Sequence, residues 1–270
     1  MDVAEGIEVI LAPNPSLMTG PGTNSYVVYG PAKGCVVIDP GPDDEGHLAE
    51  LARVAGEHGG ARAILVTHGH PDHDAGAARL RALTGAPVLA WTLDGVAGAD
   101  RMLAGGAEID AGGRRLVALY TPGHRFDHLC FSLPDRGALF AGDLVAGAGT
   151  VVIAPPEGDL TDYMASLRRL LALDIKLILP GHGPAIARPR ELLEGYIQHR
   201  EEREAQVLAG LAAGDRTIDE LVARIYTAVD PALHPAAALS ITAHLEKLER
   251  EGCVVHGIGA DDTETWRLTP

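Results

Sequence analysis

Seven histidine and aspartate residues are spaced along the chain in a way that suits the binding of metal ions. Four of them form the motif H-G-H-P-D-H, which contains His68, His70, Asp72 and His73. The other three lie in separate glycine-flanked turns, namely His124 in TPGH, Asp143 in AGD and His182 in PGHG. Imidazole and carboxylate groups are common ligands of zinc and of other divalent ions. The set therefore predicts a metal site that also has room for a reactive water.

The number of ligands favours two divalent metal ions rather than one. Each ion is expected to have three ligands of its own, and the two ions are expected to share one carboxylate. The ligands are His68, His70 and His124 for the first ion, Asp72, His73 and His182 for the second, and Asp143 as the bridge. Zinc fits this set best, and manganese and iron fit the same ligands. Two cations lower the pKa of a bridging water towards neutrality, so the predicted nucleophile is a metal-bridging hydroxide.

Asp72 has a second predicted role in catalysis, because a metal-bound carboxylate beside the nucleophile is placed to accept its proton. We therefore predict Asp72 to be a catalytic residue as well as a metal ligand. No general acid for the leaving group can be identified from the sequence.

The predicted ligands directly follow apolar segments that are typical of short β-strands. Residues 61–67, 115–120, 137–144 and 175–179 are such segments, and helical patterns at 45–58, 160–172 and 190–213 alternate with them. The ends of several strands can converge on one edge of a sheet. The alternation of strands and helices predicts a mixed α/β fold with some antiparallel pairing. No glycine-rich phosphate loop is present, which excludes a dinucleotide-binding fingerprint.

Composition limits the class of protein. The chain has 270 residues and a formal net charge of −15, and this acidity argues against broad affinity for nucleic acid. No apolar run is long enough to cross a membrane, and no basic residue precedes Lys33, so we expect a cytoplasmic protein without a signal peptide. Cys35, Cys130 and Cys253 lie far apart, which predicts three buried thiols in a reducing compartment.

A small C-terminal domain is indicated by a shift in composition near Gly214. The segment T-I-D-E at 217–220 is a helix capping box, and two predicted helices and a strand–turn–strand follow it. This order is typical of a winged helix, which predicts a catalytic domain at 1–213 and a winged-helix-like domain at 214–270. The tail contains five basic and ten acidic residues, so we expect it to pack on the catalytic domain, wall its cleft or form a homodimer.

The order of the ligand motifs resembles that of the metallo-β-lactamase superfamily over about residues 7–205. The resemblance implies an αββα sandwich with a dinuclear site at one edge. The segments GTNSY, TPGH-x-x-DH, DLTDYMASL, PGHGP and YIQHREER are similar to a lactamase-like subfamily with a C-terminal winged helix. That subfamily includes an endoribonuclease acting on single-stranded RNA and thioesterases that release polyketides.

Several branches of the superfamily fit this sequence less well. True β-lactamases of the superfamily lack the bridging aspartate that Asp143 supplies. The DNA- and mRNA-processing branch carries a large insertion between the positions of Asp143 and His182, which are only 39 residues apart here. Glyoxalase II ends in a helical glutathione-binding domain, whereas the C-terminal segment here is predicted to be a winged helix. The persulfide dioxygenases have no winged-helix domain.

We therefore expect a dinuclear hydrolase that acts on an ester, thioester or lactone of a small or acyl substrate. The alternative is an endoribonuclease for single-stranded RNA. A nucleic-acid-binding module, a β-lactamase and a metal-bound regulatory protein without turnover are less favoured.

A few further residues have two interpretations each. Asp127 and His128 either orient His124 or make structural contacts, and the two interpretations weigh equally. Asn24 is better interpreted as a turn-capping residue than as part of the site. For four residues on predicted helices, packing is favoured over a role in the substrate cleft; they are Tyr163, Tyr196, His199 and Arg200.

Overall fold

The computed structural model describes residues 2–96, 98–259 and 262–270. The chain folds into two compact units, and each unit combines several separate segments of the sequence. The first unit contains the described residues up to 121 together with 127–151 and 172–192. The second contains 122–126, 152–171 and the described residues from 193 onwards. The predicted domain boundary between residues 213 and 214 stays a prediction.

A first sheet in the first unit contains β1 to β7 in chain order. These strands are β1 (Asp2–Ala4), β2 (Ile7–Leu11), β3 (Asn24–Tyr29), β4 (Cys35–Ile38), β5 (Ala61–Leu65), β6 (Val88–Ala90) and β7 (Arg101–Met102). The strands β1 to β4 pair antiparallel, whereas β4 to β7 pair parallel. Helices α1 (Glu45–Glu57), α2 (Pro71–Asp74) and α3 (Ala77–Thr84) lie within these crossovers. The parallel half therefore brings the carboxyl ends of β4, β5 and β6 to one edge.

A second sheet has the order β12-β11-β10-β9-β8. Its strands are β8 (Glu108–Asp110), β9 (Arg115–Tyr120), β10 (Leu129–Leu133), β11 (Ala138–Gly142) and β12 (Leu177–Pro180). The strands β10 and β11 form an antiparallel hairpin, in agreement with the antiparallel pairing expected from the sequence, and β11 pairs parallel with β12. The carboxyl ends of β11 and β12 therefore also share one edge.

The two sheets pack face to face around an apolar core. This core combines side chains of the first sheet, such as Ile38 and Leu65, with Leu129, Phe131 and Phe140 of the second. Alternate residues of the first sheet point to its other face, where they pack on α1 and α3. Aliphatic residues dominate both clusters, as the low aromatic content requires.

The second unit contains α4 (Leu160–Leu171), most of α5 (Pro189–Ala213), and then α6 (Ile218–Ile225), α7 (His234–Arg250), β13 (Val254–Ile258) and β14 (Glu264–Leu268). The predicted capping box is confirmed, since the Thr217 hydroxyl accepts from the Glu220 N–H and the Glu220 carboxylate accepts from the Thr217 N–H. Residues of α5, α6, α7 and the β13–β14 hairpin share one apolar core. Two helices followed by a hairpin form the predicted winged helix.

The prediction of three buried thiols is wrong for one cysteine. Cys35 and Cys130 are buried in the strands of the first unit, but Cys253 is exposed. Cys253 lies in the turn between α7 and β13, where side chains face solvent. Among the described residues, no helix is both long enough and apolar enough to cross a membrane.

Candidate metal centre

The strand ends of the first unit place side chains of the predicted site at one edge. Asp39 directly follows β4, and His68 follows β5 after two further residues. Asp143 directly follows β11, and His182 lies two residues beyond β12. Hydrogen bonds join the two sheets here, because the Asn24 N–H donates to the Gly181 carbonyl. Parallel pairing within each sheet therefore explains why residues far apart in sequence meet.

The turn after β5 positions the next ligands. His70 precedes the one-turn helix α2, and Pro71 begins that helix at a position where no N–H is needed. Asp72 and His73 follow within α2. The His73 carbonyl accepts a hydrogen bond from the Gly41 N–H, and Gly76 donates to the Gly41 carbonyl. The C-terminal end of the H-x-H-x-D-H segment is therefore held against the loop at Gly41.

The ligand atoms of six predicted residues form two groups in the first unit. Those of His68, His70 and Asp143 lie within 4.8 Å of one another, and so do those of Asp72, His73 and His182. Imidazole nitrogens face each other at short range, with 3.3 Å between the Nε2 atoms of His73 and His182 and 2.9 Å from Nε2 of His68 to Nδ1 of His70. Such convergence of basic nitrogens fits a bound cation.

The Asp143 carboxylate reaches the second group as well as the first. Its Oδ1 lies 3.4 Å from Nε2 of His73, and its Oδ2 lies 3.4 Å from Nε2 of His182. A carboxylate in this position has the geometry that a bridging ligand needs. Gly181 permits the approach, because a Cβ there would come within 2.7 Å of Asp143 Oδ1 and 2.6 Å of a His73 ring carbon.

The pKa values show strong coupling inside this cluster. Burial alone would lower the pKa of His73, but the Asp143 and Asp39 carboxylates hold it well above 6.5. Burial likewise opposes the shift of His182, whose hydrogen bonds to Asp143 and Asp72 raise its pKa to about 9. The pKa of Asp143 is held well below its usual range by His73 and His182 despite burial. A metal ion that binds here must therefore displace protons from the imidazoles.

His124, the remaining predicted ligand, lies in the second unit. Its Nδ1 is 2.9 Å from the Val152 carbonyl oxygen, which can only accept a hydrogen bond. The proton is therefore on Nδ1, and Nε2 carries the lone pair that a metal ligand requires. The assignment of His124 to the first ion stays a prediction.

Asp39 is a positioning residue that sequence reasoning missed. Its carboxylate accepts from the Thr67 N–H at 2.7 Å, the Thr67 hydroxyl at 2.8 Å and Nδ1 of His73 at 2.8 Å. Since the Thr67 hydroxyl proton points to Asp39, the Thr67 oxygen must accept from Nδ1 of His68, 3.0 Å away. Asp39 thus fixes the tautomers of His68 and His73, two predicted ligands, and leaves the Nε2 atom of each ring for a metal ion.

His128, Asp127 and Asn24 also have contacts that the sequence did not specify. His128 is fully buried, its Nε2 accepts from the Asp143 N–H at 3.2 Å, and its Nδ1 lies 3.0 Å from the Thr121 hydroxyl. Asp127 accepts from the Gly69 N–H at 3.1 Å. Asn24 does not cap a turn but donates to the carbonyls of Pro180 and Gly183, on either side of His182. These contacts brace the backbone that carries the ligands.

Arg200 and its neighbours lie within the second unit. The Arg200 guanidinium is buried and sits 5.3 Å from the centre of the Tyr163 ring. Arg200 also lines a cavity of about 210 Å³ whose charges balance. They come from Arg168, Arg200 and Lys247 on one side and from Glu201, Glu204 and Glu251 on the other. A cavity without net charge does not favour an anion, so these contacts agree with a packing role.

The Asp39→Asn variant is expected to bind metal about 10- to 100-fold more weakly than the wild type. An asparagine amide has only one acceptor oxygen, whereas both oxygens of Asp39 accept hydrogen bonds. The NH2 group of the asparagine would therefore face a donor, either the Thr67 N–H or the Thr67 hydroxyl and His73 Nδ1. Competition with a chromogenic chelator measures the change. The matched control Asp110→Asn alters an exposed carboxylate that pairs with Arg62 and should bind like the wild type. Equal affinities of Asp39→Asn and the wild type would refute the positioning role.

Clustered histidines and aspartates at the strand ends of an α/β sandwich are typical of a metal-dependent hydrolase. The profile of the Metallo-beta-lactamase superfamily matches residues 18–182, and that of the Beta-lactamase associated winged helix domain matches residues 217–266. The chain belongs to the metallo-β-lactamase superfamily. Its fold is the mixed α/β fold of that superfamily with a C-terminal winged-helix domain.

Individual proteins show the same similarity over most of the chain. The Beta-lactamase-like protein 2 homolog of Drosophila melanogaster is 32% identical over 94% of this chain and 91% of its own length. The Atrochrysone carboxyl ACP thioesterase of Aspergillus fumigatus is 33% identical over 75% of this chain and 64% of its own. The crystal structure of a beta-lactamase domain protein from Burkholderia ambifaria covers 100% of this chain and 93% of that one, with 21% identity and a TM-score of 0.85. The last likeness shows the fold alone.

Proposed function

We propose that this hydrolase uses two divalent ions, preferably zinc, to cleave a thioester, ester or lactone of a small acyl substrate. The observation that carries the proposal is the position of Asp143, whose carboxylate belongs to one ligand group and lies 3.4 Å from two imidazoles of the other. The proposal keeps the sequence-based prediction that His124 is a ligand of the first ion. When bound, two such ions lower the pKa of a water and polarise the substrate carbonyl.

The residues of the chain supply positioning and a proton acceptor. Asp39, through Thr67, and His128 hold the ligands in place, as described above. Asp72 has a lowered pKa because its hydrogen bond to His182 and the nearby His73 outweigh burial, so its carboxylate is ionised near neutrality. Its side chain is 30% exposed and can pass a proton to solvent. We assign it as the acceptor of the proton that the attacking water loses.

The choice of a carbonyl substrate rests on similarity and on charge. A thioesterase is among the relatives, and its sequence aligns with three quarters of this chain. A polyanionic RNA would meet a protein of net charge −15. On the winged helix, the cations of α7 are paired, because Lys247 lies 2.8 Å from both Glu204 and Glu251, and Arg250 lies 2.5 Å from Asp159. These pairs reduce the positive charge that a nucleic acid would find.

The test compares substrate classes on zinc-loaded protein. We expect release of free thiol from acyl thioesters of N-acetylcysteamine, since water adds to the carbonyl and yields a carboxylic acid and a thiol. A lactone and a fluorescent single-stranded RNA are assayed in parallel, and a His68→Ala variant serves as the inactive control. Cleavage of the RNA by the wild type without cleavage of any acyl substrate would overturn the proposal in favour of the ribonuclease.

A further inference from the structure

Two aromatic side chains of the first unit are stacked on each other. The rings of Trp91 and Tyr120 lie 3.7 Å apart between centroids and are inclined by only 9°. Aromatic residues make up 4% of the chain, and it contains two tryptophans. One of the two tryptophans therefore belongs to this stacked pair.

The stack lies beside the turn that carries His68 and His70. Trp91 directly follows β6, which pairs parallel with β5. Tyr120 is the cross-strand partner of Leu129, whose N–H donates to the carbonyl of Thr67 at 2.7 Å. Thr67 is the residue immediately before His68. Tyr120 at the end of β9 and Trp91 just after β6 therefore lie at the same edge as the predicted metal ligands.

The loop after Trp91 also touches the ligand turn. A Cβ on Gly69, between His68 and His70, would come 2.2 Å from the carbonyl oxygen of Gly95. The backbone of the Trp91 loop and the backbone of the ligand turn are thus in direct contact. The Trp91 loop is therefore a direct neighbour of the turn that carries His68 and His70.

The stacked rings are partly buried and partly exposed. Both pack against the core between the two sheets, and neither is fully covered. Leu93, two residues after Trp91, is 47% exposed. Partly exposed aromatic surface beside the candidate metal centre suits recognition of a flat apolar group, because aromatic rings offer a large contact area and stack on one another.

We propose that Trp91 and Tyr120 form the wall that recognises the acyl part of the substrate and that they select planar aromatic acyl groups over saturated ones. The inference rests on the proposed function and adds the substrate class to it. Stacking against one such ring pair is expected to favour an aromatic acyl group by about two- to tenfold over a saturated group of the same skeleton.

The test measures binding rather than turnover. Zinc-loaded protein is titrated with 2-naphthoate and with the saturated decalin-2-carboxylate, which correspond to the acids that hydrolysis releases. In a Trp266→Phe background Trp91 is the sole tryptophan, and 2-naphthoate should change its fluorescence at the same concentrations at which calorimetry detects binding. The wild type should prefer 2-naphthoate, Trp91→Leu should lose that preference, and the conservative Trp91→Phe should keep most of it.

Tyr29→Leu is the matched control. Tyr29 also belongs to a stacked pair, with the His58 ring at 3.5 Å and 13°, but it ends β3 at the edge of the sheet away from Asn24 and the metal ligands. This variant should bind both acids as the wild type does. A preference for 2-naphthoate that survives in Trp91→Leu would overturn the proposal, as would displacement of 2-naphthoate by a single-stranded RNA oligomer at lower concentration.

The two proposals fail in different ways. If 2-naphthoate binds at Trp91 but no acyl substrate is hydrolysed, the proposed function is wrong. Recognition of planar aromatic groups by Trp91 and Tyr120 is then still supported. If aryl and saturated thioesters are hydrolysed equally well by the wild type and by Trp91→Leu, the wall is wrong and the hydrolase stands.

Discussion

Replacing Asp143 by alanine is expected to lower the rate of acyl-substrate hydrolysis by at least about a thousandfold, while the protein stays folded. In the proposed dinuclear site, the loss of a carboxylate shared by two ions would remove several kcal/mol of stabilisation from the charge that develops in the reaction. Asp143 is the residue for this test because its carboxylate contacts His73 and His182 and also belongs to the group of His68 and His70.

The fold should survive because the Asp143 side chain is not part of the apolar core clusters. It follows the fully buried strand β11, whose pairing with β10 and β12 uses backbone atoms. The Asp143 N–H that donates to His128 is retained in alanine. Far-UV circular dichroism and the thermal midpoint of the metal-free protein check this point separately from activity.

Two further variants sharpen the comparison. Asp143→Asn keeps the shape of the side chain but removes its charge, so it should also be strongly impaired. Asp174→Asn changes an exposed aspartate outside the site and should be fully active. Turnover by Asp143→Ala within tenfold of the wild type would show that the carboxylate is not shared by two ions and would remove the main support of the dinuclear proposal.

The histidine and aspartate motifs of the candidate site stand out in the sequence because each lies in a short turn after an apolar strand. His68, Asp143 and His182 are examples, and the parallel pairing of β4 with β5 and of β11 with β12 explains why their turns meet. Histidine and aspartate are metal-ligating residue types, and their presence in several glycine-flanked turns indicates a metal site. The local pattern is therefore enough to name the residues that the structure brings together at this edge without knowledge of the sheet order.

Asp39 could not be assigned in the same way, although it has the same local signature. It follows the buried strand β4 and has a left-handed backbone with a φ of 52°, which is unusual for a residue other than glycine. Its role depends on Thr67 and His73, which approach it only after β4 and β5 have paired. The only sequence signal for Asp39 is an acidic residue directly after a buried strand. This signal is weak because Asp39 is not part of a motif with metal-ligand spacing.

The elements that sequence patterns missed are short. The strands β7 and β8 contain two and three residues, too few for an alternation of apolar and polar side chains to be recognised. The Trp91–Tyr120 pair was missed for another reason. Its members are 29 residues apart and lie on different sheets, so only the packing of the sheets brings them together.

Removal of the metal ions is expected to abolish activity and to lower the thermal stability of the protein. The carboxylates of Asp72 and Asp143 each lie within 4 Å of the imidazoles of His73 and His182, whose pKa values they raise. A bound cation replaces the protons that these imidazoles carry in the metal-free protein. Ions that bind only the folded state stabilise it by about 4 kcal/mol when present at a thousand times their dissociation constant. Dialysis against a chelator followed by calorimetry should therefore show a lower unfolding midpoint.

Titration of the stripped protein with zinc distinguishes two ions from one. Activity should rise until two equivalents per chain are bound, as counted by elemental analysis. His68→Ala removes a ligand of the first group only and should retain about one equivalent with little activity. The matched control His58→Ala removes an imidazole that pairs with Glu8 and stacks on Tyr29, so it should retain two equivalents. Full activity at one equivalent would replace the dinuclear mechanism with a mononuclear one, in which the group of Asp72, His73 and His182 or that of His68, His70 and Asp143 acts alone.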